Sequence, residues 1–143
     1  PAVNLVFALD EALKMMRDEG LDNIFLRHNK HKLAMSNAVK LLNLKLFADE
    51  KYLSPSVTAI KTEGIDAEQF RKTIKDKFDI LLAGGQDHLK GKIFRVGHLG
   101  YVNDRDIITI ISAISNTLIS LGKISAQQAG EALVIASKYL EGN

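Results

Sequence analysis

Apolar residues recur three and four apart at Val6, Leu9, Leu13 and Met16, which places them on one face of a helix, and Gly20 offers a left-handed stop. A second pattern runs through Leu21, Ile24, Phe25, His28, Met35, Val39 and Leu42, with Arg27, Lys30, Lys32 and Lys40 between, and predicts a long amphipathic helix. The period then changes. Leu44-Lys45-Leu46-Phe47 alternates and predicts a short strand, followed by a polar loop through Ser54-Pro55. Val57-Thr58-Ala59-Ile60 is β-branched and alternating, and Gly64 after it marks a turn. Asp66, with Gln69 three residues on, caps a helix carrying Phe70, Ile74 and Phe78.

Two further apolar runs, Ile80-Leu81-Leu82-Ala83 and Ile93-Phe94-Arg95-Val96, flank the loop Gly84–Gly91 and read as paired strands. Asn103 caps the most regular helix, with Ile107, Ile111, Ile114, Leu118 and Leu121 at steps of four and three before Gly122. Ser125 and Gln128 form a capping box ahead of Ala132, Leu133, Ala136 and Leu140. The fold class expected is α+β, a small, mostly antiparallel sheet of about four short strands with helices packed against it.

Composition narrows the function classes. At 143 residues the chain suits one domain. Lys and Arg number 19 against 17 Asp and Glu, too even a balance to attract nucleic acid or anionic lipid. No apolar run approaches the roughly 20 residues a bilayer span requires, so no membrane partner is expected. The absence of cysteine removes disulfides, thiolate metal sites and thiol nucleophiles together, and suits a cytoplasmic setting. Pro1 suits the first turn of a helix, and periodicity starting there without an initiator methionine reads as a segment of something longer.

Arg95 is the residue of interest, because a guanidinium inside an apolar strand must reach solvent at an edge or meet an anion. Gly91, Gly97 and Gly100 leave room for a ligand or a backbone to approach. The fork of a guanidinium matches a carboxylate through two parallel hydrogen bonds, so a small carboxylate is one candidate ligand. An edge-strand arginine with a structural salt bridge is the other reading, and pattern alone leans to it. The Gly84–Gly91 loop lacks both common phosphate-loop spacings and reads as a connection. His28 and His31 lie three apart but find no third metal ligand, and with Arg27, Lys30 and Lys32 they read as a solvated basic helix face. His98 beside the arginine strand could polarise a bound group, although a structural histidine is the commoner case. No lysine sits in an apolar setting that would lower its pKa for imine chemistry.

The runs Pro1-Ala2-Val3-Asn4-Leu5, Ser54-Pro55-Ser56-Val57-Thr58-Ala59-Ile60 and Gly84-Gly85, with Gly91-Lys92-Ile93-Phe94-Arg95-Val96-Gly97-His98-Leu99-Gly100, resemble the class V aminotransferases, nearest the alanine–glyoxylate and serine–pyruvate branch. The likeness extends from the first helix to about Leu121 and corresponds to that family's C-terminal small domain; the helix after Gly122 is less typical. The resemblance implies that residues 1–143 are part of a longer, homodimeric enzyme that moves an amino group between a small amino acid and a 2-oxo acid. It implies that Arg95 holds the substrate α-carboxylate. It also implies that pyridoxal phosphate, its lysine and its ring-nitrogen aspartate belong to a large domain of the same polypeptide, leaving no cofactor-binding or catalytic residue in this chain and the isolated segment inactive. A free-standing module recognising a small acid or a protein is the competing reading. Some members of the family carry a soluble-hydrogenase small-subunit label, which a chain without cysteine does not support through its residues.

Overall fold

A computed structural model describes residues 2–142, so the expectation for Pro1 lies outside the described residues. Five helices and four strands follow in the order α1 (Val3–Glu19), α2 (Leu21–Leu41), β1 (Lys45–Leu46), β2 (Val57–Lys61), α3 (Ala67–Phe78), β3 (Ala83–Gly84), β4 (Ile93–Gly97), α4 (Asp104–Ser120) and α5 (Ala126–Glu141). Single 3₁₀ turns at Glu50–Tyr52 and Asp87–Leu89 interrupt the loops. The α+β class is the one expected.

Local signals explain the helix starts. The Asp66 carboxylate accepts from the backbone N–H groups of Glu68 and Gln69, at 2.9 and 3.3 Å. Asn103 with Asp106, and Ser125 with Gln128, form reciprocal capping boxes that satisfy two otherwise orphaned donors each. Gly20, at φ +83°, separates α1 from α2, a backbone geometry that favours glycine.

The sheet is antiparallel throughout, with strand order β1-β2-β4-β3. Its register sets Ile60 opposite Phe94 and places Arg95 opposite both Ala59 and Ala83. Because side chains alternate, Thr58, Ile60, Phe94 and Val96 share one face. That face meets the core contributed by α2, α3, α4 and α5, where Met35, Phe70, Ile107, Ile111, Ile114, Leu118 and Ala132 are buried. Phe70 and Phe94 stack at a tilt, ring centroids 5.2 Å apart. Among the described residues no helix covers the other face, with Val57, Ala59, Lys61, Arg95 and Gly97, and only Ile93 on it is buried, beneath the loop that holds Leu89.

The structure departs from expectation at two places and supplies a role at a third. The third strand is Ala83–Gly84 rather than Ile80–Ala83, because Leu82 turns into the core and its carbonyl accepts from Arg71 Nε at 2.8 Å in place of a strand partner. The basic face of α2 is not solvated as a whole. His31 is fully buried and bonded to Asp104, while Arg27 is largely covered and forks onto Glu19. Finally, the helix after Gly122 is integral to the core, burying Ala129, Ala132, Ala136 and Leu140 against α2 and α4.

α1 is the exception to this packing. None of its residues is buried, and Leu5 and Phe7 are each 70% exposed. Its apolar stripe therefore faces outward. No described helix is long and apolar enough to cross a membrane.

Candidate functional site on the open sheet face

Arg95 sits at the middle of β4, an interior strand, so it is not the edge-strand arginine of one sequence reading. Its cross-strand neighbours are two alanines, Ala59 and Ala83, and its same-face neighbour toward the C-terminal end of the strand is Gly97. Small side chains on three sides leave the guanidinium half-buried yet reachable from the open face. Its Nε–H donates to the Gly84 carbonyl at 3.0 Å. Among the described residues it makes no ion pair, whereas Arg27 forks onto Glu19 through two nitrogens and Arg71 meets Glu68 through one. Both terminal nitrogens of Arg95 are thus without a protein partner there. A guanidinium held by one nitrogen, with its fork toward solvent, is arranged to receive a carboxylate.

Lys61 shares the face, one strand over and one pleat along, with its ammonium 5.9 Å from the Phe47 ring centroid. At the open-face positions of β2 and β4 there is no acidic residue, so the local charge is positive.

The Gly84–Gly91 segment works as a connection, as expected, and its glycines have steric reasons. A Cβ on Gly85 would lie 2.0 Å from the Leu89 carbonyl oxygen, a backbone atom that cannot swing away. Gly85 N–H bonds to the Ile93 carbonyl at 3.1 Å, extending β3 by one pairing. The close approach of two backbone segments is what requires glycine at this position.

His98 points away from Arg95. It lies three residues past Arg95, just beyond the end of β4, and so emerges on the helix side of the sheet, fully buried. Its Nε2 lies 2.9 Å from Thr58 Oγ1 and its Nδ1 3.1 Å from the Pro55 carbonyl. Since a carbonyl only accepts, Nδ1 carries the proton and Nε2 accepts from the Thr58 hydroxyl. Burial pushes the imidazole down to about 4, against the opposing pull of the Pro55 carbonyl, so it is neutral near pH 7. It is a structural histidine tying β4 to the segment before β2.

His31 is also held below the usual histidine range, by burial first, with Asp104 opposing. His28 Nε2 and His31 Nδ1 have no partner, but among the described residues no group of three or more potential ligands could hold a metal ion. Asp104 also draws Lys30, at 3.7 Å. Arg27 spans further: beyond Glu19 it donates from Nη1 to the Gly100 and Val102 carbonyls at 3.0 and 2.9 Å, clamping the loop after β4 to the α1–α2 junction. Sequence periodicity put Arg27 among solvated charges, and nothing local announces a contact 73 residues away. Arg71 was equally silent, although its spacing of three from Glu68 is a legible helix pair.

The residues present do not fit a pyridoxal phosphate site of their own, because every lysine is exposed or half-buried and none stands in an apolar pocket.

No family model matches the chain. It is 53% identical over 122 residues to a protein named soluble hydrogenase, small subunit, from Synechococcus sp., an alignment covering 85% of this chain and 32% of that one. A serine–glyoxylate aminotransferase of Methylorubrum extorquens is 34% identical, over 100% of this chain and 36% of its own length. The crystal structure of pyridoxamine–pyruvate aminotransferase from Mesorhizobium loti superposes with a TM-score of 0.91 at 25% identity, covering 99% of this chain and 36% of that one. The chain therefore spans about a third of the length of these relatives. The last two alignments run through α5, so the likeness extends beyond Leu121 and the final helix belongs to the shared fold. In sequence and fold alike, this chain is homologous to the C-terminal portion of the class V aminotransferases.

Proposed function

We propose that residues 1–143 form the C-terminal small domain of a pyridoxal phosphate-dependent transaminase, and that Arg95 binds the substrate α-carboxylate. The observation that carries this reading is the unpaired fork of Arg95 on an open sheet face, in a chain whose relatives include enzymes named for serine, glyoxylate and pyruvate. Amino donor and oxoacid acceptor share one feature, a carboxylate next to the reacting carbon. A single guanidinium held rigidly from Gly84 serves both half-reactions by presenting either substrate in one orientation. The amino acid would be small, alanine or serine, with glyoxylate or pyruvate as acceptor, substrates that the names of several relatives carry. The cofactor, its lysine and the bond-making steps belong to the remaining two-thirds of such an enzyme. The outward apolar stripe of α1 supports the same domain assignment, since a face of that kind is covered in a complete protein. A homodimer accords with the family.

Charged hydrogen bonds of this type contribute on the order of 1.5–3 kcal/mol, or about 10- to 150-fold in a specificity constant. In the full-length protein, Arg95→Ala is expected to lower kcat/KM by such a factor for donor and acceptor alike. Arg95→Lys is expected to recover only part of it, because an ammonium supplies charge without the planar fork. Unchanged specificity constants for both substrates in Arg95→Ala would overturn the assignment.

A further inference from the structure

We infer that Arg71, on α3, is a positioning residue for Arg95, and that it sets which guanidinium nitrogens are left for a carboxylate; the inference rests on the carboxylate-binding reading above. β3 is only two residues long and lies at the sheet edge, where so short a strand has little pairing of its own to fix it. Arg71 supplies what the strand lacks. Its Nε–H donates to the Leu82 carbonyl at 2.8 Å, immediately before the strand. Its Nη1 meets both carboxylate oxygens of Glu68, at 2.9 and 3.0 Å, which fixes the guanidinium from the helix side.

The same guanidinium occupies the space over Gly84. A Cβ built there would come within 2.5 Å of Arg71 Nη1 and 2.9 Å of Glu68 Oε1, so the Arg71–Glu68 pair lies against the residue whose carbonyl accepts from Arg95 Nε. The chain of contacts is short. Glu68 orients Arg71, Arg71 holds Leu82 and abuts Gly84, and Gly84 engages Arg95 through one nitrogen.

The consequence is geometric. A guanidinium can take a carboxylate side-on through Nε and one Nη, or end-on through both Nη groups. With Nε–H committed to Gly84, only the end-on mode remains, and the carboxylate must approach along the direction in which the Arg95 side chain extends. Releasing β3 would remove the contact that anchors Nε, so the guanidinium would have to be ordered by the carboxylate itself, and affinity would fall even though Arg95 remained.

The test uses the full-length protein and a ligand-observed NMR titration with propanoate, the plain carboxylate, against propanamide, its uncharged isostere. Arg71→Gln is expected to raise the propanoate dissociation constant about 3- to 10-fold and leave that of propanamide unchanged. Arg71→Lys, which keeps the charge beside Glu68 and tests the inference should the glutamine variant fold poorly, is expected to give the same selective loss, because an ammonium cannot hold Glu68 and Leu82 together. Introduced into an Arg95→Ala background, either change is expected to have no further effect on propanoate, since coupling through Arg95 is the mechanism. If Arg95→Ala weakens propanoate while both Arg71 variants bind it normally, the positioning role is overturned and the carboxylate reading stands. If Arg95→Ala itself leaves propanoate binding unchanged, the carboxylate reading fails and the inference falls with it. Equal weakening of propanoate and propanamide by the Arg71 variants would show a merely structural residue and also overturn it.

Discussion

Single residues show how far a linear reading reaches. Arg95 was legible because a charge within an apolar strand is conspicuous, and its exposure on the open face follows from strict alternation along β4. The same alternation decides His98, three residues on, whose nearness to Arg95 in sequence becomes a position on the opposite face in space. The buried imidazole has a measurable consequence. Its folded-state value of about 4 lies below the ordinary 6.5, so between those values the unfolded chain binds a proton that the folded chain refuses. Stability is fully present above pH 6.5 and is lost as the pH falls toward 4, by on the order of 3 kcal/mol from this residue. His28 and His31 face it and add to the cost of charging it, while the Pro55 carbonyl opposes that cost. Urea titrations of the chain at pH 7 and pH 4.5 are expected to show this loss, and His98→Gln to flatten the pH dependence while lowering stability at pH 7. An equally steep dependence in the variant would assign the effect to other groups. By contrast, nothing in the sequence marks Thr58 or Pro55 as the partners of His98, since both contacts depend on the register of β2 against β4.

At the scale of elements, what is encoded within a few residues was readable, and what is set from a distance was not. The caps at Asp66, Asn103 and Ser125 all form as their spacing predicts, because a capping box closes over four residues. The third strand shifted because Arg71, eleven residues before Leu82, takes a carbonyl that a propensity argument gives to the sheet. The final helix was legible as a helix, but its role was not, because burial of Ala132 and Ala136 against α2 is a property of packing between segments about 100 residues apart. Those small residues allow close approach, so α5 stabilises the core through its start signal and its contact face together. Ser125→Ala, which removes the side chain accepting from Gln128 N–H, is expected to lower the stability of the chain by about 1 kcal/mol, and Ser125→Asp to leave it nearly unchanged. Equal denaturant midpoints for Ser125→Ala and the unaltered chain would show that α5 is held by packing alone.

For the molecule as a whole, periodicity reveals that a helix has an apolar face but not what that face meets. α2, α4 and α5 spend theirs on one another and on the sheet, whereas Leu5, Leu9, Leu13 and Met16 of α1 remain exposed, joined by Phe25 and Leu26 at the start of α2. Burial stabilises only where water is removed, so these side chains contribute little to the stability of the chain by itself. Leu9→Lys with Leu13→Lys is therefore expected to change the unfolding free energy by less than about 0.5 kcal/mol, the range for surface positions, whereas Ile111→Ala in the core is expected to cost about 2–5 kcal/mol. The same double substitution is expected to reduce self-association of the chain in sedimentation experiments, because a contiguous apolar stripe promotes contact between copies. In a full-length protein of the kind proposed, with the stripe covered, the two lysines would be driven into an apolar interface, and the expected outcome reverses to a loss of several kcal/mol. Comparing the two settings separates a stripe that is idle in every context from one that packs against the rest of a longer polypeptide. A large stability loss in the short chain would show that α1 already packs on the core, and no loss in the long one would show that nothing covers it.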